Sequence, residues 1–321
     1  MSLLDASQQL TLGALRRQRR PKIQGVRDWI LSASYRLEQT PKKRDTSLIV
    51  DTSTEVVEAL AFDIARYSSA AIETSQHLQS YVDRPMASGW VVIRSYYAAY
   101  FAANALMRLF GYFCTNLEQK HVTAIHEMAN LYQIPLPTTE KTKLGPGTYA
   151  GRYSAADGQV SFRSLHTIGG GAHKQFWFAF KEFLDSFDSE IRACTLSKSQ
   201  QTAARDSINS LTNALCYQNN PNGSWLSEIR NAVNYRLEYG AWYPYADGIV
   251  RTEDLVAAMS NAFVDTPRLK ITDLRAHDLA RSTDGCAYLL SWMLASITRL
   301  ADQSSGGSTH FLRTGPLALL I

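Results

Sequence analysis

The sequence has few cysteines, and none of them forms a close pair. Four occur in 321 residues, and there is no CxxC motif. They are Cys114, Cys194, Cys216 and Cys286. Disulfide frameworks and zinc knuckles need cysteines at short, regular spacings. The sequence therefore argues against both, and we expect a reducing, cytoplasmic location.

Long apolar runs are also missing. The first twenty residues place a short apolar stretch before the basic residues, which is the reverse of the order in a secretory signal. Residues 287–297 are apolar, but Ser291 interrupts them and the segment is too short to cross a bilayer. We expect no signal sequence, no membrane span and no membrane partner.

Charge is scarce and nearly balanced. Only 19% of the residues are charged, the net charge is +4, and 45% are hydrophobic. Such a chain can bury a sizeable core and form one large or two medium domains. The small net charge does not by itself indicate a nucleic-acid partner.

The basic residues are concentrated before position 50. The two clusters are Arg16, Arg17, Arg19, Arg20 and Lys22, followed by Lys42, Lys43 and Arg44. Runs of this kind attract phosphates, and they also occur as ordinary solvated surfaces. Residues 1–50 are thus predicted to form a basic extension, with nucleic-acid binding as one of its two interpretations.

Helical periodicity follows the basic extension. Thr52 and Glu55 have the spacing of a capping box, and apolar residues then recur at helical intervals over 57–82 until Pro85. Residues 90–110 are apolar on most sides and rich in alanine, which predicts a helix buried among other helices. Further helices are predicted at 173–191, 200–215, 226–239, 253–263 and 273–302, with Ser224 as N-cap and Gly240 at C′ of the third.

Glycine punctuates two other parts of the chain. Residues 141–171 lose the helical period, which predicts a loop or a small hairpin inserted in the helices. QSSGGS near position 305 has the composition of a flexible linker before an apolar tail. We therefore predict an all-α protein with a helical domain over 51–302 and a linker and tail over 303–321.

Most familiar chemical motifs are absent. HVTAIHE, which contains His121 and His126, does not have the HExxH order of a zinc site. GGGAHK is not a phosphate-binding loop, and no GxSxG elbow precedes a helix. We expect no metal and no cofactor.

One helix carries a dense polar group, SEIRNAVNYRLEYG. Arg230, Asn231, Tyr235 and Arg236 interrupt its apolar pattern. One interpretation is a solvated flank, or Arg230 paired with a buried carboxylate. The other is a cleft in which Arg230 and Asn231 hold a phosphate, because a guanidinium binds phosphate oxygens through parallel hydrogen bonds.

RSYYAAYFAANALMRLFG, EQKHVTAIHEM and SEIRNAVNYR together resemble the helical HEPN superfamily, over roughly residues 55–240. The resemblance implies a helical bundle that often dimerises and, in many members, a metal-independent ribonuclease of toxin–antitoxin or anti-phage systems. Its signature is Arg, often followed by a polar residue, and then His after four to six positions. Arg230 and Asn231 match the first half. Tyr235, Arg236 and Leu237 stand where the His is expected.

Three hypotheses follow, two from the resemblance and one from the apolar C-terminal segment. The first is a prokaryotic defence or toxin–antitoxin subunit with a degenerate site, which binds RNA, DNA or a protein partner and forms a homodimer or hetero-oligomer. The second is an active endoribonuclease that uses Arg230 and Asn231 with Tyr235 or Arg236. The third is a purely structural subunit whose apolar C-terminal segment docks into a neighbour.

Overall fold

The computed structural model describes residues 2–82, 88–139, 141–243, 250–263 and 277–320. The α-helices are α1 (Ser2–Leu10), α2 (Val26–Ser32), α3 (Ser53–Ser75), α4 (Ser88–Leu109), α5 (Gln119–Leu131), α6 (Gly171–Ile191), α7 (Lys198–Leu215), α8 (Trp225–Tyr235), α9 (Thr252–Asn261), α10 (Asp278–Asp302) and α11 (Phe311–Thr314). The strands are β1 (Tyr35–Arg36), β2 (Thr46–Val50), β3 (Tyr112–Leu117), β4 (Gly147–Ser154) and β5 (Gln159–Ser164). Short 3-10 helices occur at Gly13–Arg17, Leu78–Tyr81, Gly307–Thr309 and Pro316–Leu320.

Helix α4 forms the centre of the molecule. It packs against α3 and α10, and also against α8. Ala98, Ala102 and Ala105 are fully buried, and their small side chains let the neighbouring helices approach closely. The predicted buried helix is confirmed.

A buried ion pair joins α3 to α4. The Arg108 Nε donates to Asp63 Oδ2 at 3.1 Å, and its other nitrogens donate to Asn104 and to the Cys114 carbonyl. Asp63 also accepts from Arg66 at 2.8 Å. Both charges are nearly inaccessible but fully hydrogen-bonded, which is what burial of a charge requires.

A five-stranded antiparallel sheet corrects the all-α prediction. Its order is β1-β2-β5-β4-β3, and β4 and β5 form the hairpin that was one of the two alternatives for the glycine-rich region. Strands β2 and β3 were not predicted. Each is only five or six residues long, too short for the period of two to stand out beside the helical pattern. The protein is therefore mostly helical, with a sheet.

The first fifty residues pack against the rest of the protein. The Trp292 indole in α10 donates to Ser7 Oγ at 2.9 Å, and Arg299 pairs with Asp5 at 2.8 Å. Trp29 is fully buried, and β2 lies inside the sheet. The segment predicted as an extension thus contributes two α-helices and two strands to the body of the fold.

The C-terminal residues also contact their own chain. Phe311 and Pro316 are buried, and the side chain of Gln76 in α3 donates to the Leu319 carbonyl at 2.7 Å. Residues 307–309 form a helical turn where the sequence predicted a flexible linker. The apolar end therefore packs on α3 of its own chain. The third hypothesis expected it to dock into a neighbouring protein.

Two predicted helix ends differ from the structure. Thr52 precedes α3 but makes no capping hydrogen bond, whereas Ser197 and Gln200 form a full capping box at α7. Helix α8 was predicted to continue to Tyr239, but it ends at Tyr235. Gly240 is consequently not at its C′ position.

The early end of α8 has a backbone cause. Leu237 and Tyr239 have φ of +54° and +65°, values at which a right-handed helix cannot continue. Leu237, within the predicted helix 226–239, is 63% exposed. Pro85 and residues 273–276, named in other helix predictions, lie outside the described residues. Within the described ranges, no helix is long and apolar enough to cross a membrane.

Candidate functional site

Arg230 lies in a cage of tyrosine rings. Helix α8 packs on α4, which places the guanidinium carbon 5.0 Å from the Tyr96 ring centre and 5.6 Å from that of Tyr97. The ring of Tyr235 lies 5.6 Å away. Arg230 itself is only 3% exposed. Aromatic faces attract a cation, so the cage stabilises the buried charge in part.

The charge of Arg230 has no acidic partner in the part of the chain that the structure describes. Among the described residues, no carboxylate lies within ion-pair distance of its guanidinium. Its Nε has no hydrogen-bond partner, and its Nη1 donates to the Tyr235 hydroxyl at 3.2 Å. A buried cation without a counter-charge is costly, so the site is electrostatically suited to an anion. The buried carboxylate of the sequence-based alternative is not found.

A histidine stands next to Arg230, but it comes from another helix. His173 lies in the first turn of α6, where its Nδ1 is 2.8 Å from the Tyr96 hydroxyl. The Trp177 indole donates to the same hydroxyl at 3.1 Å. Because an indole N–H can only donate, we assign the Tyr96 proton to His173 Nδ1. The imidazole then carries its own proton on Nε2.

Burial keeps this group of side chains neutral. Desolvation, followed by the field of Arg230, lowers the pKa of His173 to about 4. Desolvation raises the pKa of the Tyr96 phenol. Both side chains are therefore uncharged at neutral pH. An anion bound at Arg230 would offset the field of the guanidinium and raise the His173 pKa toward its ordinary value.

The chain turns sharply to place His173. Gly170 and Gly171 have φ of +92° and +79°, a region that glycine enters without steric cost. Helix α6 then begins with no side-chain cap. Lys174 pairs with Glu228 at 2.7 Å and so ties the first turn of α6 to α8. The three glycines before AHK are the sequence signal for this turn, and the sequence interpretation assigned them to a loop.

A polar cavity lies beside Tyr100 on α4. Its volume is about 310 Å³, and it is lined by Tyr100 and Ala172 as well as by the Asp63–Arg108 pair. The ring centres of Tyr100 and His173 are 5.0 Å apart. Tyr100 thus contacts both His173 and this cavity.

The four predicted catalytic residues do not all meet. Arg230 and Tyr235 are hydrogen-bonded to each other. Asn231 is half-buried, and its side chain has no hydrogen bond to Arg230. Arg236 is exposed and donates to Glu238 at 2.6 Å. The structure therefore keeps two of the four at the site and adds His173, Tyr96 and Trp177.

The first basic cluster surrounds the Gly13–Arg17 turn and is mostly exposed. Its members are Arg16, Arg17, Arg19, Arg20 and Lys22. Arg16 is half-buried and donates to the Gln8 carbonyl at 3.5 Å. Arg17 lines an open cleft of about 540 Å³ beside Ser53, at the start of α3. No hydrogen bond or ring contact joins this cluster to Arg230 among the described residues.

The second basic cluster is extended by the sheet. Lys42, Lys43 and Arg44 precede β2. Lys42 forms an isolated antiparallel β-bridge with Lys143. Arg44 borders a groove of about 370 Å³ together with Arg152 and Arg163. Those two arginines pair with Glu190 and Glu182 on α6. The β4–β5 hairpin therefore brings Arg152 and Arg163 to the groove beside the second basic cluster, which the sequence showed as three residues.

The residues considered for metal binding have other roles. His121 caps α5, where its Nδ1 accepts from the Glu118 backbone N–H at 3.0 Å. In the part of the chain that the structure describes, no group of three or more His, Cys, Asp or Glu side chains could hold a metal ion. All four cysteines are free thiols.

Comparison with protein-family models, with curated proteins and with solved structures gave no significant match, so the HEPN resemblance rests on the motifs of this chain alone.

Proposed function

We propose that the protein binds RNA, and that Arg230 holds a phosphodiester of the RNA. The observation that carries the proposal is a guanidinium that is 3% exposed, lies among tyrosine rings and has no carboxylate partner in the described residues. A buried charge without a counter-charge carries a desolvation penalty of several kcal/mol, and a bound anion would offset that penalty. Phosphate is the anion whose geometry best matches a guanidinium.

The surroundings of Arg230 fit a phosphate. His173, which shares Tyr96 with Arg230, has an Nε2–H donor to offer when neutral, and the start of α6 has no side-chain cap on its backbone N–H groups. Lys174 adds a positive charge there, shared with Glu228. The exposed basic clusters would hold other phosphates of the strand by longer-range attraction.

The biological setting follows from the resemblance. In line with HEPN proteins, we propose that this RNA-binding chain works as a subunit of a prokaryotic anti-phage defence or toxin–antitoxin complex. Partner proteins would then control when the RNA reaches Arg230.

Binding is tested with a fluorescent single-stranded RNA by anisotropy. The variant is Arg230→Met, which keeps the length of the side chain and removes its charge. Loss of charge-assisted hydrogen bonds should weaken binding about ten- to hundred-fold. With about three phosphate contacts, wild-type affinity should also fall roughly twenty-fold between 50 and 200 mM salt.

The controls separate Arg230 from the basic clusters. Truncating residues 1–50 would remove two α-helices and two strands of the fold, so charge-neutralising substitutions are the cleaner test. Arg19→Gln with Arg20→Gln probes the first cluster, and Lys42→Gln with Arg44→Gln probes the second. A DNA strand of the same sequence shows whether the 2′-hydroxyl matters. RNA binding that is unchanged in Arg230→Met contradicts the proposal.

A second function is favoured by one observation, the position of His173. An imidazole beside an arginine supplies the pair that a metal-independent ribonuclease uses, even though the two residues lie on different helices. The low pKa of His173 would rise once a phosphate offsets Arg230, which would bring the imidazole into the range suited to proton transfer.

The nuclease is tested by incubating total RNA with the protein in the presence of a chelator. Cleavage by the wild type that disappears in both Arg230→Met and His173→Gln supports the enzyme. Intact RNA together with measurable binding supports the binding protein alone.

A further inference from the structure

Tyr235 occupies the place at Arg230 that an anion would take. Its hydroxyl accepts from Arg230 Nη1 at 3.2 Å, and its ring centre is 5.6 Å from the guanidinium carbon. A neutral phenol oxygen is a weaker acceptor than a charged phosphate oxygen, by roughly a factor of two in hydrogen-bond strength. The Tyr235 contact is therefore one that a phosphate can replace.

Tyr235 is also the member of the cage that is free to move. It is 70% exposed, whereas Tyr96 is 2% exposed and is tied to Trp177. Tyr235 is the last residue of α8, and the backbone turns out of the helix directly after it. Rotating its side chain sacrifices little buried area, so the cost of opening the cage at this point is small.

Helix α4 carries a further exposed aromatic ring. Trp90 is 46% exposed and lies two helical turns before Tyr97. It packs edge-on against Trp242 with ring centres 5.3 Å apart. The Trp242 indole donates to the Val233 carbonyl at 2.7 Å, which fixes this pair to α8. Exposed aromatic faces are what unpaired bases stack on.

We propose that single-stranded RNA displaces Tyr235 from Arg230, so that a phosphodiester takes the guanidinium and the freed tyrosine ring stacks on an unpaired base. The inference rests on the proposed phosphate binding at Arg230 and adds the substrate class to it. Duplex RNA is a poor substrate, because its bases are stacked within the helix and cannot reach the ring.

The test compares Tyr235→Phe and Tyr235→Ala with the wild type, using labelled oligouridine and a duplex of the same length. Tyr235→Phe removes the competing hydroxyl and keeps the ring, so oligouridine should bind about five- to ten-fold more tightly. Tyr235→Ala removes both, so it should bind about five- to hundred-fold more weakly than Tyr235→Phe. Tyr132→Phe, at an exposed tyrosine on the end of α5, is the matched control and should change nothing.

The outcomes separate this inference from the proposed function. If Arg230→Met binds oligouridine as well as the wild type, phosphate binding at Arg230 fails. If Arg230→Met weakens binding but Tyr235→Phe does not tighten it, displacement of Tyr235 fails while phosphate binding stands. Equal affinity of Tyr235→Phe and Tyr235→Ala, or tight binding of the duplex, overturns stacking.

Discussion

Two of the buried arginines in the described residues offer a matched comparison. Arg108 and Arg230 are 2% and 3% exposed, and each faces a tyrosine ring, at 4.5 Å from Tyr67 and 5.0 Å from Tyr96. Arg108 is paired with Asp63, and Arg230 has no acidic partner among the described residues. Replacing Arg108 with methionine should therefore destabilise the protein, whereas replacing Arg230 should not.

The expected changes in stability follow from the groups that each substitution leaves without a partner. Arg108→Met leaves Asp63 buried without its main counter-charge, which should cost about 3–5 kcal/mol in the free energy of unfolding. Arg230→Met removes a desolvated charge and loses cation–π attraction worth about 0.5–2 kcal/mol. Since the desolvation penalty of an unpaired ion is several kcal/mol, we expect Arg230→Met to leave stability unchanged or to raise it by about 1–2 kcal/mol.

Urea unfolding followed by circular dichroism measures both changes. The slope with urea should be the same in the three proteins, so that shifts of the midpoint report stability. A fall of 3 kcal/mol or more in Arg230→Met would refute the reasoning. It would mean that Arg230 is a structural residue satisfied within the fold, and that its burial is no sign of an anion site.

Two further predictions concern pH and helix capping. Since the folded pKa of His173 is about 4 and its ordinary value is 6.5, the unfolded chain binds more protons between these values, and the stability that the neutral imidazole provides above pH 6.5 is lost as the pH falls toward 4. Urea midpoints measured from pH 7 to pH 4 should therefore fall less steeply in His173→Gln than in the wild type, and parallel curves would contradict the assignment. Ser197→Ala should cost about 1 kcal/mol because it removes a capping hydrogen bond, whereas Thr52→Ala, at a position without one, should change stability by a few tenths. Equal costs in thermal unfolding would contradict the observed caps.

Most of the helices could be predicted from the sequence because long segments with a helical period of apolar residues strongly indicate helices. Helices α4, α6 and α7 begin and end within two residues of their predicted limits. The central position of α4 followed from its alanines and its scarcity of polar residues. Helix existence and burial are local properties of sequence, and so periodicity finds them.

The sheet and the packing of the chain ends depend on distant partners. Thr46 pairs with Phe162 across more than a hundred residues, and no local pattern in TSLIV names that partner. The basic residues around Arg17 suggested an extension, but Leu15 beside them is fully buried. A short amphipathic segment resembles a flexible tail in sequence, because the surface on which its apolar side packs is formed by distant residues.

Only part of the candidate site could be predicted from the sequence. Arg230 and Tyr235 were found because they interrupt an apolar helix. His173 was missed because its relation to Arg230 arises from the packing of α6 on α8 and α4, fifty-seven positions away in sequence. The burial of Arg230 and the lack of a carboxylate partner are likewise tertiary facts. Because of these two facts, the site is defined by the anion that Arg230 could bind and not by the histidine that α8 lacks.

Nuclear magnetic resonance of the arginine Nε–H groups tests the central claim most directly. The Arg230 signal is assigned by its absence in Arg230→Lys, and the Arg108 signal serves as the internal reference. On titration with oligouridine, the Arg230 Nε–H signal should move as a phosphate replaces the Tyr235 hydroxyl at the guanidinium, while the Arg108 signal stays in place because its nitrogens are already paired. RNA that binds the protein and leaves the Arg230 signal unmoved would contradict the account.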